Sequence, residues 1–395
     1  MIKLGVIFGG ESVEHEVSII SAVQAMNKMD TEKYEIIPIY ITKDREWYTG
    51  DSLKDIEVYQ DLDLLKRYSK NVVLYYKKGK FVLQSKGFFK RTIKEIDMAF
   101  PIVHGTNVED GVLQGYLRSI GIPFVGSDVY AATVAQDKVF QKQILSSAGL
   151  PITNFAWFFD SEYQDDPNAV IKKIEKMKYP FIVKPATLGS SVGISKANNK
   201  EELEKAIEDA INYDNKIVVE EIVNNLIEVN ISVLGNYENM KLSEIEQVMT
   251  DNDLLTYEDK YIGGGKKTSG SAKGMASAAR KIPADISDKL KAEVQEIALK
   301  TFRELNSAGV VRIDFLIDNK KKKVYVNEMN SCPGSLAFYL WEPTGKDYSE
   351  LLDDMINIAI KDYKKRINKT HSFETNILQG FSGSKGIKGL KGLKK

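Results

Sequence analysis

Residues 310–330 read VVRIDFLIDNKKKKVYVNEMN, and this stretch decides the fold. Two apolar runs rich in β-branched residues flank a lysine turn, the pattern of an antiparallel hairpin. Asp314 lies on the first strand. Glu328 and Asn330 lie two apart on the second, so their side chains leave the same face. Carboxylate and amide oxygens grouped in this way are hard ligands that suit Mg²⁺. The plainer reading is a set of polar residues on an edge strand facing solvent. Upstream, VKPATLGSSVGI at 183–194 puts Lys184 at the end of a strand and follows it with a small-residue loop whose backbone N–H groups can close on phosphate oxygens. Such a loop alone is what any tight turn requires. Together with the acidic hairpin it reads as a nucleotide site with a metal.

Around this centre the chain alternates strands and helices. Lys3 to Phe8 reads as a strand running into the pair Gly9-Gly10, with helical spacing from Ser18 to Lys28. YEIIPIYIT is a second strand, Val72–Tyr76 and Lys80–Gln84 a hairpin, and Met98–Val103 a buried strand ending at His104-Gly105. The helix opened by Glu109-Asp110-Gly111 then sits at the carboxyl edge of an open α/β sheet, where such sheets bind ligands. Ala131 to Ala148 reads as one helix stopped by Gly149 and bridging into a second unit. NFAWFF, a helix near Ala169–Met177, FIVKPA, helix Glu201–Ala210 and KIVVEEIV form a compact α+β unit. IEVNISVLGN and KLSEIEQVM alternate as antiparallel strands and open a third, completed by helix Ser287–Leu305, the acidic hairpin and a helix through Ile360. The expected division is 1–130, 131–220, 221–370 and a basic tail at 371–395, read as disordered. Residues 251–280, with GGGKKTSGSAKG, read as a mobile active-site loop.

Lysine plus arginine equal aspartate plus glutamate at 55 each in 395 residues, so no global field recommends nucleic acid or an anionic membrane. A lone cysteine, Cys332, excludes an internal disulfide framework and a multi-cysteine zinc site. No stretch has the length of a membrane span or a signal segment, and a reducing cytoplasmic location is expected.

The ordered set GGESVEHEVS, HGTNVEDGVLQG, the DK of AQDKVFQK, VKPATLGSSVGIS, VVEEIVNNLIEV, YEDKY, VRIDF and NEMNSCPG resembles the D-alanine:D-alanine ligase family of the ATP-grasp superfamily, up to about Lys365. The resemblance implies an α/β chain of ATP-grasp fold: an N-terminal Rossmann-like open sheet and two α+β subdomains clamping ATP. It implies Lys138, Lys184 and Lys260 along the ATP phosphates with Ser191 in the phosphate loop, Glu221 at the adenine and Glu228 at the ribose. Asp314, Glu328 and Asn330 would hold two Mg²⁺ ions, with Mn²⁺ an alternative. Glu14 would take the first amino acid's ammonium group beside Ser190 and Tyr261, with His104 lining the pocket. Arg312 and the Gly334 N–H would stabilise the oxyanion, and Ser335 and Leu336 would hold the second substrate. A homodimer with small-molecule partners is implied, without nucleic acid or membrane.

Plainer roles stay open for three of these: Glu14 as a helix N-terminal acid, His104 as a packing residue, Arg312 as an ion pair with Asp314. The chain also departs from the family pattern. Ser335-Leu336 follows Gly334 directly, which displaces the acceptor segment and leaves Lys346 or Tyr339 as substitutes. The loop after Tyr261 is long and lysine-rich, and Gln136 stands where methionine is common. Two further readings therefore remain: the same mechanism with D-lactate, D-serine or another amino acid as acceptor, and a nucleotide-binding protein without ligase activity.

Overall fold

The computed structural model describes residues 1–249 and 280–373; Lys260, Tyr261, all but Arg280 of the loop expected at 251–280, and most of the tail expected at 371–395 lie outside the described residues. Three sheets organise the described residues. The first is built on β1 (Ile2–Gly9), with β2 (Tyr34–Ile41) on one side. Beyond β2 lie β3 (Trp47–Thr49), β4 (Lys70–Lys77), β5 (Lys80–Ser85) and β6 (Thr92–Ile96), all antiparallel, and β7 (Met98–Pro101) lies on the other side of β1. β1 runs parallel to both β2 and β7, pairing Val6 with Pro38 and with Phe100. It is covered on both faces, which is why its sequence is nearly unbroken apolar. Gly9 ends it at φ +88, where a Cβ would meet the Ile41 carbonyl oxygen at 2.2 Å. The chain can therefore turn there only without a side chain, and it enters the helix His15–Met26 at the carboxyl edge of the sheet.

The second sheet contains β8 (Phe155–Phe159), β9 (Phe181–Pro185), β10 (Ser195–Ala197) and β11 (Lys216–Glu221) in the order β10-β9-β11-β8, antiparallel throughout. The third contains β12 (Leu226–Gly235), β13 (Met240–Val248), β14 (Arg280–Lys281), β15 (Gly309–Asp318) and β16 (Lys323–Asn330), with β12 and β15 central. Arg312 pairs with Asn330 and Asp314 with Glu328, but Phe315 pairs with Val326, so Asn327 is an extra residue in β16. This bulge brings Glu328 and Asn330 opposite Asp314 and Arg312 and turns Asn327 toward the second sheet, a re-aiming typical of bulges beside active sites.

The single helix expected over 131–148 is two helices, Val129–Gln136 and Lys138–Ser147, broken at Asp137 (φ −94, ψ 105). The break is held by bonds at Asp137 and Lys138, some of them to distant parts of the chain. One Asp137 carboxylate oxygen caps the second helix through the N–H groups of Val139 and Phe140, and the other accepts from Lys216 Nζ at 2.7 Å. The Lys138 N–H meanwhile donates to the Ala186 carbonyl at 2.9 Å. Lys138 thus opens a helix beside the cleft instead of lying within one. The C-terminal helix extends to Ile367, past the expected end at Ile360, and its last turn carries Lys364, Lys365 and Arg366, which suit the negative end of the helix dipole. Its apolar face, with Leu351, Leu352, Met355 and Ile356, joins the core of Leu4, Val6 and Phe8, so this helix shares a core with the first strand. No described helix is long and apolar enough to cross a membrane.

Candidate active site

The second and third sheets face each other across a cleft. From β9, Lys184 reaches Asn327 Oδ1 at 3.4 Å, and Lys138 Nζ stands 3.6 Å from Glu328 Oε2. Lys138 also donates to the Leu188 carbonyl at 2.6 Å, and Gln136 Nε2 to the Thr187 carbonyl at 2.5 Å. Asp214 accepts from both the N–H and the hydroxyl of Thr187 at 2.8 Å. The small-residue loop is therefore anchored at its root, and Gln136 does more there than fill space. Further along, Ser190 and Ser191 adopt left-handed backbone (φ +54 and +63), a strained state that clusters at ligand clamps. Lys138, Lys184, Ser191, Glu228, Asp314 and Glu328 line this cleft together.

Deeper in lies a second pocket that shares Lys138, Gly189, Ser190 and Glu328 with the first and adds Glu14, His104, Arg312, Asn330 and Gly334. Glu14 precedes the helix His15–Met26 but makes no side-chain capping bond to it. Its carboxylate instead accepts from the Ser190 hydroxyl, across from the Gly189 backbone. A Cβ on Gly189 would stand 2.8 Å from Glu14 Oε2, so a larger residue there would push the carboxylate from its present place beside Ser190. Arg312 forms a bidentate pair with Asp314 (2.7 and 2.8 Å), and Asn330 Nδ2 reaches the same carboxylate at 3.2 Å. Burial works against the charge on Arg312, but the Asp314 carboxylate outweighs it and holds the guanidinium well above its ordinary value. The ion-pair reading of Arg312 and its position in the pocket thus hold together.

His104 is buried, with Nε2 3.0 Å from the Ser21 hydroxyl. Burial pushes its pKa down to about 4 despite the Cys332 carbonyl that bonds the ring, so the imidazole is neutral near pH 7. Burial also raises the Cys332 thiol, which makes it inert as a nucleophile. Among the described residues no group of three or more His, Cys, Asp and Glu side chains is arranged to hold a metal ion. The Asp314, Glu328 and Asn330 set differs in counting an amide oxygen, and its donors are all of the hard type that Mg²⁺ takes.

Glu221 lines the nucleotide cleft as expected, with its carboxylate accepting from Asn154 Nδ2 and from the Lys178 N–H, each at 2.9 Å. Glu220 lines the same cleft and is the one of the two that meets Lys184. Two residues take other places than expected. Ser335 donates its hydroxyl to Gln24 Oε1 at 2.7 Å, and Leu336 is packed in the core beside the helix His15–Met26; neither lines the pocket. Lys346, one of the two expected substitutes, is paired with Asp354 at 2.7 Å. Tyr339, the other, donates to Glu246 at 3.2 Å with the Arg280 guanidinium 4.1 Å above its ring.

Several residues of the site escaped the sequence reading. Glu220 Oε2 lies 2.9 Å from Lys142 Nζ and Oε1 3.0 Å from Lys184 Nζ, with Thr153 Oγ1 donating at 2.7 Å. Burial opposes ionisation of Glu220, yet Lys142 and Lys184 hold its pKa far below the usual carboxylate range. Glu109 accepts from the Gly105 N–H, the Ser331 hydroxyl and the Cys332 N–H, and burial followed by the nearby Glu14 raises it to about 7. Glu109 was legible only as part of a motif. Glu220 had a usable signal in the alternation of strand side chains, but the pairing that puts it on the Lys184 face was needed to choose it over Glu221.

Two lobes of antiparallel sheet closing on a cleft of lysines and carboxylates, with an open α/β sheet as third wall, define an ATP-grasp protein. Residues 3–127 match the family model described as D-ala D-ala ligase N-terminus and residues 144–357 that described as D-ala D-ala ligase C-terminus. The chain therefore belongs to the D-alanine:D-alanine ligase family. Similar curated relatives are the D-alanine–D-alanine ligases of Thermosipho melanesiensis, 40% identical over 96% of this chain and 99% of the relative, and of Thermosipho africanus, 41% identical over 95% and 98%. Among solved structures, the D-alanine-D-alanine ligase from Coxiella burnetii is similar at TM-score 0.76 and 27% identity, covering 93% of this chain and 97% of that one. A D-Ala:D-Ser ligase from Enterococcus faecalis is similar at TM-score 0.75 and 29% identity, covering 91% and 99%.

Proposed function

We propose that the chain is an ATP-dependent ligase that joins two D-alanines through an acyl phosphate, in the cytoplasm, for peptidoglycan precursor synthesis. The observation that carries this reading is the continuity of the two pockets: the Glu14–Ser190 pair and Arg312 share the walls Lys138, Gly189, Ser190 and Glu328 with the nucleotide cleft. An amino acid held by its ammonium group at Glu14 thus has its carboxylate beside the phosphate end of a bound nucleotide, the proximity that phosphoryl transfer needs. Lys138 and Lys184 neutralise phosphate charge, with Lys184 fixed by Glu220. Ser191 and the Ser190 backbone close the phosphate end; Lys260 and Tyr261 are assigned from the motif alone. Glu221 contributes backbone rather than carboxylate at the adenine, and Glu228 takes the ribose. Asp314, Glu328 and Asn330 would hold two Mg²⁺ ions, which when bound screen the phosphate charge. In the second step Arg312 and the Gly334 N–H stabilise the oxyanion as the second amine attacks. We infer the division 1–130, 131–220 and 221–370, a reading supported by the separation into three sheets, whose strands span residues 2–101, 155–221 and 226–330. We also infer a homodimer, for which light scattering is expected to give twice the chain mass; a monomer mass at working concentration would remove it.

A second reading concerns the acceptor alone. Ser335 is turned to Gln24 and Leu336 is in the core, which leaves the acceptor carboxylate to other groups, with Tyr339, beside the Arg280 guanidinium and within the field of Arg312, one candidate. The likeness to a D-Ala:D-Ser ligase supports a broadened choice. With ATP and D-alanine alone, phosphate release and D-alanyl-D-alanine are expected. When D-alanine competes with equal D-serine, D-lactate and L-amino acids, mass spectrometry is expected to find a mixed product beside the dipeptide. Exclusive D-alanyl-D-alanine would refute the broadened acceptor and leave the ligase; no stimulated phosphate release with any pair would refute the ligase itself.

A further inference from the structure

We propose that Glu109 is a positioning residue for the second step: its carboxylate ties the segment Ser331–Gly334, which carries the oxyanion donor, to the N-terminal sheet. The inference rests on the ligase reading above. On one side, Glu109 Oε1 accepts from the Cys332 N–H at 3.0 Å and from the Ser331 hydroxyl at 3.1 Å. On the other, Oε2 accepts from the Gly105 N–H at 2.9 Å. The carbonyl of Cys332 is held as well, by His104, and the Ser335 N–H donates to Ser21 Oγ at 2.9 Å. Both Ser21 and Ser335 lie on segments that the N-terminal helix brings together.

These anchors bracket Pro333 and Gly334. Proline has no N–H and holds its φ at −67 here, so between the anchored N–H groups of Cys332 and Ser335 the donor of the segment is that of Gly334. Three consecutive residues just beyond, Ser335, Leu336 and Ala337, sit in left-handed backbone at φ +50 to +53. A run of this kind costs energy at each non-glycine residue and persists only where neighbouring bonds hold it. The anchoring bonds therefore set where the Gly334 N–H stands. Glutamine at 109 cannot replace the acid, because its single acceptor oxygen serves either Gly105 or the Ser331 and Cys332 pair, and its amide meets a donor on the other side.

The test uses the full chain with ATP, Mg²⁺ and D-alanine, and separates the two steps. Scrambling of the bridging oxygen in isotope-labelled ATP reports reversible acyl-phosphate formation, and dipeptide yield reports both steps. Glu109→Gln is expected to slow dipeptide formation about 10- to 100-fold through misplacement of the donor, to keep the scrambling rate near that of the unmodified chain, and to release more phosphate per dipeptide. Wild-type dipeptide formation in the variant, or an equal fall in both steps with an unchanged melting temperature, would overturn the inference. Should Glu109→Gln not fold, Ser331→Ala removes one of the three donors and is expected to give the same split with a smaller fall; no split there overturns it too. If the unmodified chain makes no dipeptide, the ligase reading falls and this inference with it. If it does and only the variant disagrees, the inference falls alone.

Discussion

Glu328→Gln is expected to abolish ATP turnover while the chain remains folded. Glu328 stands directly across from Asp314 in the β15–β16 ladder, and its carboxylate also lies 3.6 Å from Lys138 Nζ. Glutamine preserves the shape but removes the negative charge from a set that has only one other carboxylate. A hard divalent ion is held by charge and oxygen number together, and the charge stabilisation it gives a phosphoryl group is worth several kcal/mol. At 1.36 kcal/mol per tenfold in rate, a fall of about a thousandfold follows. The side chain is partly exposed to the cleft and not in the core, so the melting temperature should stay close to that of the unmodified chain. Near-normal phosphate release at limiting Mg²⁺ would show that Glu328 does not hold the ion.

Glu220→Gln is expected to act on stability first and on activity through it. Lys142 and Glu220 are 1% and 2% exposed, and the carboxylate is the shared counter-charge of Lys142 and Lys184. Removing it leaves two ammonium groups close together in a low-dielectric interior. Breaking a buried pair on one side in this way costs about 3–5 kcal/mol. Burial already pushes the pKa of Lys142 down, so that lysine is the one to surrender its proton when Glu220 is lost. Removing the stranded charge as well, in the double variant Glu220→Gln/Lys142→Met, should recover part of the stability. It should not recover nucleotide affinity, because Lys184 still lacks the carboxylate that aims it. Urea unfolding of the two single variants and the double, with ATP binding measured beside it, checks both statements. Independent, additive effects in that cycle would mean that the pair does not couple.

The same residues mark where sequence reading succeeds and where it stops. The hairpin of β15 and β16 was legible because β-branched alternation and a lysine turn are local signals, and two-residue spacing by itself puts Glu328 and Asn330 on one face. The Gly9-Gly10 turn, the order of strands and helices, the family and the group of cleft lysines followed from the same kind of local pattern and ordered motif. The sequence also determined that charge is balanced and that the cysteine is alone. The break at Asp137 was not legible: Ala131 to Ala148 carries continuous helical spacing, and the bonds that outweigh it come from Lys216 and Ala186, far along the chain. Glu220 and Glu221 are equivalent in a strand pattern until the pairing with β9 assigns one of them to the Lys184 face. Ser335 and Leu336 could be expected at the acceptor pocket from their motif. Only the contact with the helix His15–Met26 draws the hydroxyl to Gln24 and the leucine into the core. Local chemistry along the chain determined which elements form and which residue types the site contains. Tertiary structure alone decided which of two neighbouring carboxylates meets Lys184 and which donors a buried acid holds, since that depends on strand register and on hydrogen-bond partners hundreds of residues apart, such as Glu109 and Cys332.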